Sequence, residues 1–239
     1  MNPDTLQRAA LDVAEALDPS QVLRTIVDGL VREPGVALAR IWLVGPGDVC
    51  ATCFFADECH DRETCLHLAA SAGTSTLDPD DDWTAIEGAF RRFPMGVRKV
   101  GLIGTTGVGR LHHVQDDGDW LARPAWATAE GIASFGGQPL IFRGEVLGVL
   151  GVFSRSVIGD EPFGWLRTFA DHAAVSIANA RAFDEVQRLR EQLELERDYL
   201  REEIKVQRSF GSIVGMSEAI RNVGRQIEVV APTEATVLI

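Results

Sequence analysis

The sequence predicts an α+β fold in which an antiparallel sheet is flanked by helices and followed by a long helix. Apolar residues recur at helical spacing in residues 5–30 and again after Pro162. Between these regions, short apolar runs are separated by turn residues, which is typical of strands joined by short loops. No glycine or proline interrupts residues 165–207, a run that predicts roughly 60 Å of helix at about 1.5 Å per residue.

The composition is that of an ordinary globular protein. The 239 residues are 46% hydrophobic and 24% charged, enough to bury at least one core, which excludes disorder as the main state. No apolar run approaches the roughly 20 residues that cross a bilayer, and the start at Met1 lacks a secretory signal. We therefore expect a cytoplasmic protein with no membrane partner. The formal net charge of -12 argues against nucleic-acid binding by this chain, because phosphate contacts need a basic surface.

Two helices and a strand are predicted first. Thr5–Leu17 carries its apolar residues on one helical face. After the break at Asp18-Pro19, Ser20 is suited to the N-cap of a second helix, whose apolar stripe continues to Leu30. The run Val36–Val44 is apolar, partly β-branched and followed by Gly-Pro-Gly, so it predicts a strand.

The middle of the chain predicts the rest of the sheet. Leu66–Ala72 has the alternation of a strand, and the runs Gly137–Phe142 and Val146–Ser154 are separated by a short turn, as in a β-hairpin. Gly148 and Gly151 indicate close packing across the second hairpin strand. Shorter elements are predicted as strands at Phe90–Pro94 and Leu111–Val114, a helix at Val100–Thr105 and a helical or irregular segment at Asp119–Ile132.

The second half of the long helix carries a narrow apolar line. Between Asp184 and Lys205 this line runs through residues dense in Glu and Arg, which is typical of a two-stranded coiled coil. Glu196 occupies a core position between Leu193 and Leu200, so we expect a weak or switchable pairing. The sequence thus predicts a homodimer through this helix, with a single solvated helix as the alternative.

The last residues change character. Residues 210–215 predict a turn and a short extended segment, Ser217 is suited to cap a further helix, and residues 235–239 predict a strand. Because a domain seldom ends on a central apolar strand, we expect the chain to be a fragment of a longer protein.

All four cysteines fall within one short segment, in the pattern C-x2-C-x5-C-x5-C. They are Cys50, Cys53, Cys59 and Cys65, and they lie in an insertion at residues 45–65 that is longer than the usual connection of about 4–6 residues. A reducing cytosol disfavours disulfides, so clustered thiols there indicate metal ligands or redox groups. We therefore expect these four side chains to hold one metal centre.

Four thiolates suit either an iron–sulfur cluster or tetrahedral zinc. Zinc ribbons use two short C-x2-4-C pairs, whereas this chain has one C-x2-C and two five-residue gaps, which favours the cluster. Structural zinc and a thiol–disulfide switch are the alternatives. His60 and His67 are further candidate ligands, because each follows or lies near a cysteine. Four acidic residues would make the site more anionic: Asp57, Glu58, Asp61 and Glu63.

Residues 1–183 form the first predicted domain, and from about residue 5 it resembles a GAF sensor domain. The resemblance rests on the two leading helices, the meandering antiparallel sheet, the hairpin PLIFRGEVLGVLGVFS and the return helix. It implies a sensory function and a cavity between sheet and helices that can hold a small ligand. The side chains expected to line that cavity are Phe90, His112, His113, Trp120, Trp126 and Phe135.

Residues 208–239 resemble the opening of the AAA+ domain in sigma-54-dependent transcriptional activators. The segments IVGMSEAIRNV and VAPTEATVLI follow one another in the family's order. The Walker A phosphate loop, which the family places next, is absent, since no G-x-x-x-x-G-K-S/T occurs in the sequence. We therefore expect this chain not to be an enzyme. The resemblance implies that residues 184–207 relay a signal to an ATPase, and that the parent protein binds sigma-54 RNA polymerase and DNA through other regions.

The sequence thus predicts a regulatory module that senses through a four-cysteine iron–sulfur cluster and signals through a helical linker. The alternative is a GAF domain that binds a small-molecule effector in its cavity, with the cysteines holding structural zinc. No nucleophile and base stand in a recognisable catalytic motif.

Overall fold

The computed structural model describes residues 19–78, 80–115, 121–208, 215, 217–233 and 236. The helix predicted at Thr5–Leu17 and nearly all of the segments predicted at 210–215 and 235–239 lie outside the described residues. The chain divides into two compact units, residues 1–182 and 183–239.

The first unit contains a six-stranded antiparallel sheet. Its strands are β1 (Val36–Pro46), β2 (Thr64–Gly73), β3 (Arg92–Pro94), β4 (Arg110–His113), β5 (Ser134–Phe142) and β6 (Glu145–Ser154). They lie side by side in the order β3-β2-β1-β6-β5-β4, so β3 and β4 form the two edges. The predicted antiparallel sheet and its closing hairpin are confirmed.

The described helices lie before, between and after the strands. They are α1 (Pro19–Val31), α2 (Arg98–Thr106), α3 (Pro124–Ala129), α4 (Asp160–Arg208) and α5 (Glu218–Val230). Helix α4 has 49 residues, a length of about 74 Å at about 1.5 Å per residue. Within the described ranges, no helix combines the length and the apolar character that a membrane span requires.

Two helix starts differ from the prediction because of proline. Helix α1 begins at Pro19, so Ser20 lies in its first turn and the predicted N-cap is wrong. Helix α4 begins at Asp160, ahead of Pro162, because the first turn of a helix does not need the missing N–H of proline. The cap predicted for α5 is confirmed, since the Ser217 hydroxyl accepts a hydrogen bond from the Ile220 amide at 3.3 Å.

The sheet separates two apolar layers. Alternate residues of β1 enter each layer, with Ala39 and Ile41 facing α1 and the first part of α4, and Leu38 and Trp42 facing α2, α3 and their loops. The second layer also receives Phe55, from the cysteine-containing connection between β1 and β2. The candidate sites lie on this second face.

Close packing at Gly148 and Gly151 is confirmed. A Cβ at Gly148 would lie 2.2 Å from the carbonyl oxygen of Trp42, and one at Gly151 would lie 3.1 Å from ring atoms of Trp42 and Phe135. Glycine therefore lets β6 approach the backbone of β1 at Gly148 and the aromatic side chains of the second layer at Gly151.

Candidate metal site and ligand cavity

The cysteine loop, defined here as residues 47–63, joins β1 to β2. It is closed at its base, where the Gly47 amide donates a hydrogen bond to the Glu63 carbonyl oxygen at 2.8 Å. A Cβ at Gly47 would lie 1.9 Å from the carbonyl oxygen of Arg62, so only glycine permits this approach. The two ends of the loop are thereby held together where it joins β1 and β2.

All four cysteines line one small cavity between this loop and strands β2 and β3. Cys50 begins a short 3₁₀ turn and Cys53 follows it. Cys65 lies in β2, opposite Gly45 of β1 and Pro94 of β3, and is buried, whereas the other three are partly buried. The structure thus brings together the four residues that sequence analysis proposed as ligands.

The spacing of the sulfurs and the size of the cavity favour different occupants. In the described chain, the ligand atoms that group within 4.8 Å of one another are those of Asp48, Cys65 and His67, and no three cysteine sulfurs do so. Thiolates on one tetrahedral zinc lie about 3.8 Å apart, whereas a cluster spreads its ligands over several irons, so the spacing favours a cluster. The enclosed volume of about 20 Å³ is room for one atom or one water, which favours a single ion.

Two of the thiols, those of Cys59 and Cys65, resist ionisation while no cation is present. Burial and, to a smaller extent, the Asp48 carboxylate together raise the pKa of Cys65 to about 11, against an opposing effect of Arg92. Burial also raises the pKa of Cys59, with added repulsion from Cys50 and Cys53. Since metals bind the thiolate, capture of a cation here would release protons.

An ion pair that sequence analysis missed borders the same cavity. Arg92 of β3 donates to both carboxylate oxygens of Asp48, at 2.8 and 2.5 Å. The Arg92 hydrogen bond holds the pKa of Asp48 well below its usual range. The pair ties the start of the cysteine loop to the edge strand. The sequence offers a signal only in that Asp48 lies two residues before the first cysteine.

The histidines and acidic residues near the cysteines have different roles from one another. The ring Nε2 of His67 lies 2.7 Å from the Pro46 carbonyl oxygen, within reach of the cysteine site, whereas His60 is exposed. Glu58 accepts two hydrogen bonds from Arg98 of α2, at 2.7 and 2.9 Å. Asp61 lines the cysteine cavity and accepts a hydrogen bond from the Glu63 amide at 2.8 Å.

Aromatic contacts anchor the cysteine loop to the second apolar layer. The ring of Phe55, which is 1% exposed, lies 4.4 Å from that of Phe93 in β3. The ring of Phe54 lies 5.2 Å from that of Phe90. The same loop that carries three cysteines therefore packs behind Phe90 and Phe93, two of the residues that line the neighbouring cavity.

That neighbouring cavity has a volume of about 340 Å³ and lies between the sheet and its covering loops. Of the six side chains predicted to line it, Phe90, Trp126 and Phe135 do so. The prediction is wrong for His112 and His113, which lie on edge strand β4 and do not reach it. The sixth predicted residue, Trp120, lies outside the described residues.

Arg40 lines the cavity, and sequence analysis missed it. It lies on β1 between Leu38 and Trp42, and its Nε donates a hydrogen bond to the Ser71 hydroxyl at 3.1 Å. The Ser71 hydroxyl in turn donates to the Trp83 carbonyl oxygen at 2.5 Å. Burial lowers the pKa of Arg40 to about 10, with Asp81 opposing the effect. The available signal was a charged residue inside the apolar run of a predicted strand.

Comparison with known proteins places this geometry in a family. Residues 18–177 match the model of the GAF domain. The formate hydrogenlyase transcriptional activator FhlA of Escherichia coli is similar, at 38% identity over 104 residues, which are 42% of this chain and 15% of that protein. The formate hydrogenlyase transcriptional activator of Salmonella typhimurium is 44% identical over 75 residues, which are 31% of this chain and 11% of that protein. The chain therefore spans a small part of the length of these curated relatives.

Solved structures share the fold at low identity. The GAF domain of a phosphoenolpyruvate-protein phosphotransferase from Coxiella burnetii has a TM-score of 0.54 at 20% identity, covering 76% of this chain and 95% of that chain. The free methionine-R-sulfoxide reductase from Neisseria meningitidis has a TM-score of 0.54 at 18% identity, covering 74% of this chain and 89% of that chain. The sheet order, the two helical layers and the family match agree, and this chain belongs to the GAF domain family.

Proposed function

We propose that this chain is the sensory module of a transcriptional activator, and that Cys50, Cys53, Cys59 and Cys65 hold an iron–sulfur cluster through which it senses. The regulatory part of the proposal is supported by the family and by relatives that are transcriptional activators. The sensing part depends on the cysteine site.

One observation carries the cluster proposal: every cysteine of the chain lines the same small cavity. Packing alone does not require this, because a structural cysteine serves as well as any small apolar residue. A bound cation would favour the thiolates that burial and mutual repulsion now disfavour at Cys59 and Cys65. An iron–sulfur cluster, when bound, supplies a centre whose redox state responds to its surroundings.

The protein's own residues provide a route from the cysteines to the rest of the domain. Asp48 links the loop to Arg92 on edge strand β3, and Glu58 links it to Arg98 on α2. A change in the order of the cysteine loop therefore alters the edge of the sheet and the wall of the larger cavity. We propose that α4 relays this change to the segment that resembles the opening of an AAA+ domain.

The proposed partners follow from α4 and from the relatives. The exposed apolar line of α4 suits pairing with the same helix of a second copy, giving a homodimer. The line comprises Val186, Leu189, Leu193 and Leu200. We infer that the parent protein contacts sigma-54 RNA polymerase and DNA through regions outside this chain. Since the Walker A motif is absent from the sequence, we propose no ATPase activity for the chain itself.

Anaerobic purification of the whole chain tests the cluster proposal. The expected result is a brown protein with visible absorption that each single Cys→Ser substitution at the four positions removes or weakens. Asp57→Asn is the matched control, because Asp57 is exposed in the same loop and does not line the cysteine cavity. A colourless protein with bound zinc would favour a structural site, and a protein that takes up no metal would refute both.

A second candidate function is supported by the 340 Å³ cavity. Its size and its mixed lining of aromatic and charged side chains suit a small-molecule effector, with the cysteines then holding structural zinc. Stabilisation of the protein by a small ligand, with no change on oxidation, would favour this candidate. Ala122 lines this cavity, and Ala122→Trp would fill part of it. If that variant no longer bound the ligand, the ligand site would be located in this cavity.

A further inference from the structure

We propose that the 340 Å³ cavity binds a small organic carboxylate whose acidic group pairs with Arg40. The inference rests on the second candidate function, an effector held in this cavity, and specifies the chemistry of that effector. It does not depend on which metal the cysteines bind.

Arg40 is a cation in apolar surroundings. Its neighbours on the same face of β1 are Leu38 and Trp42, and both line the cavity with it. Arg40 is partly buried and lines the cavity. A guanidinium in such a position is costly unless an anion or several acceptors surround it.

The protein supplies Arg40 with little compensation. Its hydrogen bond within the described chain is the one from Nε to the Ser71 hydroxyl, and no described carboxylate forms an ion pair with it. The negative charge of Asp81 favours the charged form of Arg40 without a direct hydrogen bond. The Asp81 carboxylate instead accepts a hydrogen bond from the Trp83 indole at 2.7 Å. The two Nη groups of Arg40 are therefore left for a ligand, in the fork that matches a carboxylate.

The other charged groups around the cavity largely have partners of their own. Asp82 accepts hydrogen bonds from the amide and hydroxyl of Thr84, and Glu87 pairs with Arg91 at 2.9 Å. Arg98 pairs with Glu58 at 2.7 Å. The two ion pairs neutralise Glu87 and Arg98. The carboxylates of Asp81 and Asp82 keep their charge because their hydrogen-bond donors are neutral, but neither forms an ion pair with Arg40 in the described chain.

Two further cations increase the attraction for an anion. Arg123 lies over the rings of Phe54 and Phe90, at 5.4 and 5.2 Å from their centres, and Lys99 lines the same cavity. A cation–π contact leaves the positive charge of Arg123 in place. Arg40, Lys99 and Arg123 thus outnumber the two lining carboxylates that lack an ion pair in the described chain, Asp81 and Asp82, so the cavity favours a negatively charged ligand.

The rest of the lining indicates the body of the ligand. Aromatic rings line the space beyond Arg40, among them Trp42, Trp126, Phe135 and Phe153. A volume of about 340 Å³ lies at the small end of the roughly 300–1,000 Å³ range of ligand sites. These features suit a flat or apolar organic acid of modest size better than an inorganic anion, which would leave the aromatic surface uncovered.

The test compares charged and neutral probes of one shape. Benzoate and benzamide are titrated into the full chain by calorimetry, with hexanoate as an aliphatic carboxylate. We expect carboxylate binding, and at least tenfold weaker binding of benzamide. Arg40→Met should weaken benzoate binding at least tenfold. Arg24→Met is the control, since Arg24 is exposed on α1, which packs against the opposite face of the sheet, and it should bind benzoate as the natural protein does.

The folding of Arg40→Met is checked separately by thermal unfolding, and Arg40→Lys serves if the Met variant does not fold. The Lys variant keeps the charge but loses the fork, so it should bind benzoate more weakly than the natural protein. Equal affinity for benzoate and benzamide, or full benzoate affinity in the folded Arg40 variants, would overturn the anion proposal while leaving an effector cavity. Binding of none of the three probes would overturn both.

Discussion

Glu130 and Arg40 are charged side chains held inside the fold, and their charges are satisfied differently. Glu130, which is 4% exposed, accepts hydrogen bonds from the Ser75 hydroxyl, from the Thr76 amide at 2.9 Å and from Arg155 at 3.0 Å. Arg155 also donates to the Thr74 carbonyl oxygen at 2.8 Å. This carboxylate therefore joins the segment after β2 to the residue after β6, whereas Arg40 has a single hydroxyl partner among the described residues.

The Glu130 carboxylate makes stability depend on acid. Burial alone would raise the pKa of Glu130, but hydrogen bonds from Ser75, Thr76 and Arg155 lower it from 4.5 to about 2. Because the folded pKa is the lower one, the stabilisation is present above pH 4.5 and is lost as the pH falls towards 2. Glu130→Gln should lower the free energy of unfolding by about 1–3 kcal/mol at neutral pH.

Urea denaturation at neutral pH and in acid measures this effect. Between pH 4.5 and 2, the free energy of unfolding should fall less in the Glu130→Gln variant than in the natural protein. Glu145→Gln is the control, because Glu145 is exposed at the start of β6, and it should change neither quantity. Parallel curves for the natural protein and Glu130→Gln would show that this network does not carry the acid sensitivity.

Single residues were predictable where local sequence identifies them. The four cysteines stand out because their clustering needs no knowledge of the fold. Asp48 and Arg92 pair across 44 residues, and Arg40 and Ser71 across 31, so neither contact could be found before the strand register was known. The alternation of β1 could have placed Arg40 with Leu38 and Trp42, but it does not say which face holds a cavity.

At the scale of elements, the cysteine loop is the connection between the two candidate sites. Phe55 fixes it to β3, and the Glu58–Arg98 ion pair fixes it to α2. Arg98 has a left-handed backbone, with φ of 53°, at the start of α2, a conformation that non-glycine residues adopt at a cost. The Glu58–Arg98 ion pair therefore attaches the loop to the first residue of α2, whose backbone conformation is itself unfavourable.

Removing this ion pair should loosen the loop without unfolding the domain. In Glu58→Gln, we expect the amides of Ala56 and Glu58 itself, which donate to the Cys53 and Phe55 carbonyl oxygens, to exchange about two- to fivefold faster. The amides of β1 and β6 should be unaffected. Hydrogen exchange measured by mass spectrometry checks this, with Asp57→Asn as the control in the same loop. Unchanged exchange in Glu58→Gln would mean that the other contacts of the loop, those of Phe55 and Asp48, hold it without this ion pair.

Long periodic elements were predicted to within a few residues, and short ones less well. Strand β1, strand β2 and the hairpin were found because alternation and turn residues are local signals. The lining role of His112 and His113 was wrongly predicted because nothing in the sequence shows that β4 is an edge strand. The start of α4 was placed too late because a proline in the first turn resembles a helix breaker.

At the scale of the whole molecule, α4 presents an apolar line that suits a second copy. Leu193 is 65% exposed and Leu200 is 47% exposed, at positions that recur with the period of a coiled coil. Leu195 is 73% exposed as well, but it lies off this line. Substitutions on and off the line therefore distinguish coiled-coil pairing from association through exposed apolar surface in general.

Charges placed on the line should dissociate the dimer. The double substitution Leu193→Glu and Leu200→Glu puts like charges opposite one another in a paired helix, so light scattering after size exclusion should give the mass of one chain. Leu195→Glu should leave the dimer mass unchanged. A natural protein with the mass of one chain, or a double variant that stays dimeric, would show that α4 does not form the dimer.

The central claim is that the four sulfurs hold one inorganic centre. Native mass spectrometry of the full chain, purified without air, tests it most directly, because the added mass identifies iron with sulfide, zinc or nothing. We predict one bound iron–sulfur centre per chain, which Cys50→Ser, Cys53→Ser, Cys59→Ser and Cys65→Ser each remove or reduce. A chain with no added mass, or one whose bound metal survives all four substitutions, would contradict the account.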